Sequence, residues 1–173
     1  MANEFELKKT LNVDTGGVVT IVIEANVAHL QLTTADASEL RAEVTISSRE
    51  ESQLAQCAAS ELRGRRDGDT LTLAMTQPPP GQRCRQRWAV VIPRGVNLTA
   101  TVEVGDIEAR LAGGYGDIEL DTAVGNASLS VDGRSVGASK RNPTSESIRV
   151  DGDGAALRLH SNVGDVTAAV TRD

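Results

Sequence analysis

The fourteen residues Leu98–Leu111, LTATVEVGDIEARL, carry the reading of this chain. Leu98, Ala100, Val102 and Val104 occupy even positions, so they share one face of an extended strand. Ile107, Ala109 and Leu111 continue the apolar series on odd positions. The inward phase therefore switches at Gly105-Asp106. A chain that bends there and keeps its apolar side chains inward must make this switch.

The same phrase recurs. Tyr115-Gly116-Asp117-Ile118, Val124-Gly125-Asn126-Ala127 and Val163-Gly164-Asp165-Val166 repeat it, and Val136-Gly137-Ala138-Ser139 is a degenerate copy. Gly105, Gly116, Gly125 and Gly164 are thus the expected structural corners. Short strands joined at such corners predict an all-β chain of 1–173, a single β-solenoid domain in which each rung covers the next. A β-sandwich is the alternative: it explains the strands but not the regular corners.

Upstream, alternation is equally plain. Val19, Ile21 and Ile23 share one face, as do Ala28, Leu30 and Leu32, and then Leu40, Ala42, Val44 and Ile46. Between Arg49 and Arg63 the period changes: Leu54, Ala58 and Leu62 recur every four residues. Glu50 and Glu51 stand near the start and Gly64 follows, which predicts an inserted helix over about 49–63. Pro78-Pro79-Pro80-Gly81 predicts a surface loop over 77–82. From there a strand presents Cys84, Gln86, Trp88, Val90 and Ile92 on one side. Arg83, Arg85, Arg87, Ala89 and Val91 lie on the other.

Composition narrows the function. The 173 residues include one Phe, one Tyr and one Trp, and 18 Lys+Arg against 24 Asp+Glu give a net charge of −6. That charge opposes nonspecific nucleic-acid binding, and three scattered aromatics cannot form a base-stacking platform. Sugar stacking is disfavoured for the same reason. A basic middle, 62–94, lies between two acidic segments. No apolar run is long enough for a membrane span. The first residues lack the features of a secretory signal, so the chain is cytoplasmic if Met1 is the true start, unless a leader was removed. Cys57 and Cys84 lack zinc spacing. The preferred reading is two free, partly buried thiols; a disulfide in an oxidising compartment is the alternative.

The layout resembles the bacterial putative-adhesin family of β-solenoid domains. The matching features are Gly16-Gly17 before an early strand, the segment Trp88-Ala89-Val90-Val91-Ile92-Pro93, and the repeated Val-Gly-Asp-Ile phrase. The resemblance implies a place in the cell envelope or periplasm, and the family supplies no catalytic residues to carry over.

Several constellations bear on chemistry. Gly133-Arg134-Ser135-Val136-Gly137 matches a hydrolase elbow, with Asp151 or Asp153 and His160 following. No helix is expected after Ser135, so turn chemistry is preferred. Gly113–Asp121 resembles a calcium nonapeptide with its Asp one position early. Asp106, Asp117 and Asp165 could align as a Ca²⁺-holding column, but Asp after Gly is ordinary turn chemistry, and no metal or other cofactor is expected. His29 and His160 read as surface strand residues. Arg83, Arg85 and Arg87 form the candidate anion-binding stripe, set against the plainer reading of a solvated strand face. The expected function is a noncatalytic extended β scaffold, an adhesin-like module of the bacterial envelope that binds a protein or glycan surface. Self-association through the solenoid ends is a further expectation. The alternative is a carbohydrate-active β-helix enzyme of lyase or glycosidase type, using paired carboxylates in a groove.

Overall fold

A computed structural model of the protein describes residues 4–76, 84–140 and 143–172. In chain order its elements are β1 (Phe5–Asp14), β2 (Thr20–Val27), β3 (His29–Ala35), β4 (Glu39–Ser48), α1 (Glu51–Cys57), β5 (Leu62–Asp67), β6 (Thr70–Met75) and β7 (Arg85–Pro93). There follow β8 (Asn97–Val104), β9 (Ile107–Ala112), β10 (Tyr115–Val124), β11 (Ala127–Val131), β12 (Arg134–Val136), β13 (Ser139–Lys140), β14 (Glu146–Val150), β15 (Ala155–Val163) and β16 (Val166–Thr171). Two eight-stranded sheets result. Sheet I has the order β1-β4-β7-β3-β9-β16-β11-β12, and sheet II the order β13-β14-β10-β15-β8-β2-β6-β5.

Four corner passages carry the chain from sheet II to sheet I: β2 to β3, β8 to β9, β10 to β11, and β15 to β16. Their strands pair in parallel, with Val27, Val104, Val163 and Val124 level across β2, β8, β15 and β10. Consecutive corners are tied by backbone bonds. Ala28 N–H donates to the Val104 carbonyl at 3.0 Å, Gly105 N–H to Val163 at 2.8 Å, and Gly164 N–H to Val124 at 2.9 Å. Gly164 has φ 148°, and a β-carbon there would run into the Gly105 carbonyl oxygen, so glycine is required.

This is not the single solenoid that the corner spacing suggests. A solenoid stacks successive turns in chain order, whereas here β15 and β16 insert between the passage β8–β9 and the passage β10–β11. Both sheets are also mixed: β4 is antiparallel to β1 and β7, β5 to β6, and β14 to β10. The arrangement is sandwich-like, matching the alternative. Alternation and corners are common to both architectures, because each only requires the chain to cross between layers with its apolar side inward.

Those inner faces meet in one apolar cluster. Leu98, Ala100 and Val102 of β8 face it, as do Ile107, Ala109 and Leu111 of β9. The large side chains Trp88 and Tyr115 are fully buried within it. The flank is held differently. Helix α1 ends at Cys57, and Leu62, Gly64 and Arg66 alternate as strand residues against Met75, Leu73 and Leu71 of β6. The helix expected over 49–63 is therefore seven residues long. Its four-residue spacing extends to Leu62 only by coincidence with strand parity.

The two thiols are not free: Cys57 and Cys84 form a disulfide. Cysteine spacing cannot reveal this, because the strand register from β4 to β7 brings the segments together. Closing the 27-residue separation restricts the unfolded chain by roughly 3.5 kcal/mol. On the outermost strand of sheet I, Lys9 points inward and its Nζ donates to the Ala58 carbonyl at 2.7 Å. An inward lysine discourages edge-to-edge pairing.

Candidate functional site

The two outward faces of the sandwich carry the polar side chains, and they are organised differently. On sheet II, β14, β10 and β15 lie side by side, with Glu119 level with both Arg149 and Arg158. Asp121 is level with His160, and His160 with Thr101 of β8. Outward-facing residues two apart on one strand thus meet opposite charges on the next.

The contacts are close. Arg158 Nη2 donates to Asp117 Oδ2 at 2.9 Å, and its Nε lies 3.3 Å from Glu119 Oε2. Arg158 Nη1 also donates to the Asp117 carbonyl at 3.1 Å. The hydrogen bond and charge of Arg158 hold the Asp117 carboxyl below the usual carboxylate range, with burial opposing. His160 Nδ1 is 3.1 Å from Asp121 Oδ2. Arg149 is fastened by Asp151 at 2.9 Å, which raises its already high pKa. A depression of about 140 Å³, bordered by Thr99, Thr101, Glu119 and Asp121, lies among these groups. Sequence reasoning passed over Arg158 and Asp121 as partners. They stand 41 and 39 residues from the groups they bind, and only the register joins them.

Sheet I presents a contrasting face. A hollow of about 500 Å³ on it is bordered by Gln31 and Thr33 of β3, Glu108 and Arg110 of β9, and Thr167 and Ala169 of β16. His29 Nε2 lies 3.6 Å from Glu108 Oε2, which turns that carboxylate toward the β3 side. Arg87 is exposed on β7, level with His29 and Thr45. Among the described residues, neither Arg87 nor Arg110 has an ion-pair partner. Arg85, on the same side of β7, lies 3.6 Å from Glu4. Arg83 lies outside the described residues, as does the Pro-rich loop 77–82. Arg110 was missed by sequence reasoning; its signal is the outward parity it holds after the Gly105-Asp106 corner.

The remaining candidates are placed as follows. Gly105, Gly125 and Gly164 stand at corners with positive φ, whereas Gly116 lies inside β10, its α-carbon packed against the Asp153 carbonyl. Asp106 and Asp165 are neighbours, and their carboxylates serve the corner backbone. Asp106 Oδ1 accepts from Asp165 N–H at 2.8 Å, and Asp165 Oδ1 from Asn126 N–H at 2.9 Å. Asp117 is on sheet II with Arg158, so the three do not form one column. Among the described residues, no three His, Cys, Asp or Glu side chains gather as a metal site. Ser135 is exposed on β12 of sheet I, while His160 is on sheet II and Asp151 pairs with Arg149. These residues form no hydrolase triad. Tyr115, buried with its hydroxyl unpartnered among the described residues, is pushed up to about 12 by burial.

No family model matches the chain, and neither does any curated protein. Among solved structures it is similar to a putative cell adhesion protein from Clostridium sporogenes, at 9% identity and a TM-score of 0.47, covering 96% of this chain and 100% of that one. It is also similar to a putative adhesin from Bacteroides fragilis, at 7% identity and a TM-score of 0.31, covering 96% and 98%. For a putative adhesin from Parabacteroides merdae the values are 7%, 0.26, and 95% of each chain. The neighbours are thus bacterial proteins bearing adhesin names, and likenesses this distant carry nothing about ligand or reaction. Among the described residues, no helix is long and apolar enough to cross a membrane.

Proposed function

We propose that the chain is a noncatalytic β scaffold that binds a surface partner, an adhesin-like module of the bacterial envelope, and that the outer face of sheet I makes the contact. The observation that carries this reading is the pair of unpartnered guanidiniums, Arg87 and Arg110, on the same face as the hollow. A guanidinium with no internal carboxylate keeps its fork of donors for a ligand. Arg85 extends the stripe, shared with Glu4. The disulfide supports a working place in an oxidising compartment, which an envelope protein occupies.

The carbohydrate-active alternative would have to use the sheet II cluster. Glycoside cleavage needs one carboxyl that can be protonated and a second that is free to act. Arg158 engages both Asp117 and Glu119 and keeps Asp117 ionised, so this cluster suits structural pairing better.

Saturable binding of the purified chain to isolated bacterial envelopes tests the reading. The Arg87→Glu/Arg110→Glu double variant, folded by circular dichroism, should lose most of that binding. Undiminished binding by the double variant would overturn the assignment of sheet I.

A further inference from the structure

We infer that the row of valines where sheet II turns into sheet I docks a basic amphipathic helix of a partner protein. The row is separate from the outer face of sheet I and does not depend on the reading of that face. Six large apolar side chains are exposed among the described residues: Phe5, Val19, Val27, Val104, Val124 and Val163. Four of them belong to this one row. Val27, Val104, Val163 and Val124 stand level across β2, β8, β15 and β10, and they are from 41% to 52% exposed. At ordinary strand spacing the row is about 14 Å long. The end of a strand accommodates threonine as readily as valine, so local structure alone does not call for methyl groups here.

The margins of the row carry charge of one sign. Glu103 precedes Val104, and Asp106 and Asp165 follow Val104 and Val163 at two residues' distance; all three are exposed. Asp106 and Asp165 are held in place by accepting corner N–H groups through Oδ1, at 2.8 and 2.9 Å, and each carboxylate keeps further acceptor sites. No Lys or Arg lies within three residues of any of the four valines. Register brings Arg87 level with His29, beyond one end of the row. The middle of the row thus has carboxylates on both sides of its methyl groups. That pattern selects the occupant. Anionic lipid headgroups and nucleic-acid phosphates would meet like charge. A second copy would bring the same acidic margins, and four half-exposed valines fall far short of the roughly 800 Å² per partner of a stable interface. An extended segment would point its basic residues away once its apolar ones were seated. A helix presents an apolar stripe with cations on both flanks. Two turns advance about 11 Å and the helix is about 10–12 Å across, which fits the row and brings the flanks over both margins. Among the described residues the chain's own helix, α1, carries Glu51 and no cation, so the partner is another protein.

Fluorescence anisotropy with short labelled model peptides of Leu, Ala and Lys tests the inference. The peptide with Leu on one helical stripe and Lys on both flanks should bind saturably and gain helical circular dichroism. Its counterpart with Glu in place of Lys, and a scramble of the same composition, should not bind. The Val104→Thr/Val163→Thr double variant keeps β-branching and should keep its Tm while weakening binding about tenfold. Glu103→Gln should weaken it about threefold, and added salt should weaken it further. Val19→Thr, at an exposed valine outside the row, and Arg110→Gln, on sheet I, should leave it unchanged. No saturable binding by the basic peptide, equal binding of the scramble, or indifference to the valine pair would overturn the inference. So would valine-dependent binding to phosphatidylglycerol vesicles, or a dimer in light scattering that the same double variant dissolves.

Discussion

The outer faces of the two sheets are built by the same rule, alternate residues of parallel strands in register, yet they use charge in opposite ways. On sheet II the cations of β14 and β15 are spoken for: Arg158 serves Asp117 and Glu119, Arg149 serves Asp151, and His160 meets Asp121. On sheet I, Arg87 and Arg110 stand beside Thr45, His29, Thr33 and Ala169, with no carboxylate in register to take them. Charges facing across neighbouring strands satisfy one another, and those facing hydroxyls and methyls remain available. Counting charged residues would miss this difference, because it depends on which strand lies next to which.

The largest expected effect falls on the seam that both faces share. Gly164→Ala forces a β-carbon against the Gly105 carbonyl and strains a positive φ. It should cost more than about 3 kcal/mol in denaturant unfolding. Loss of far less would mean that the corners can shift, and that the registers behind both charge patterns are softer than they appear.

A smaller effect separates the faces. Arg158→Gln leaves Asp117 and Glu119 side by side without their cation, and should lower Tm by about 3 °C at neutral pH. The pH dependence has a definite sign. Asp117 is held below its ordinary value in the folded chain, so its contribution is present above the ordinary carboxylate range and is lost as pH falls through the folded value. The gap between Arg158→Gln and the parent should therefore close in strong acid. A gap that persists there would show that Arg158 acts through packing of its stem instead.

The smallest effect is expected on sheet I. Arg87→Gln and Arg110→Gln should change stability by less than about 0.5 kcal/mol, since neither side chain has an internal partner to lose. If either costs more than Arg158→Gln, the contrast between a self-paired face and an available one fails.

Much of the local design is legible in the residues. The inward set Trp88, Val90 and Ile92 and the switch of inward phase from Val102 to Ile107 follow from parity alone, whereas Val104, expected inward, is exposed at the corner. Other features are not legible, for identifiable reasons. Leu62 continues a helical spacing and also fits a strand, and its pairing with Met75 decides between them. The disulfide needs Cys57 and Cys84 to be brought together by strands far apart in sequence. Of the anion-binding candidates, Arg85 and Arg87 are legible as a stripe. Arg110 joins them only through the order β7-β3-β9.

By itself, then, the sequence determined alternation, inward phase and the corners at Gly105, Gly125 and Gly164, though not the one expected at Gly116, because each depends on neighbours a few residues away. Its scarcity of aromatics also set a core built largely of aliphatic side chains. The tertiary structure alone decided that β15 and β16 insert between earlier passages, making a two-sheet sandwich where corner spacing suggested a solenoid. Strand order depends on contacts between residues far apart in the chain, and the same local pattern satisfies several such orders. That order is what placed Arg158 between two carboxylates and left Arg87 and Arg110 without one.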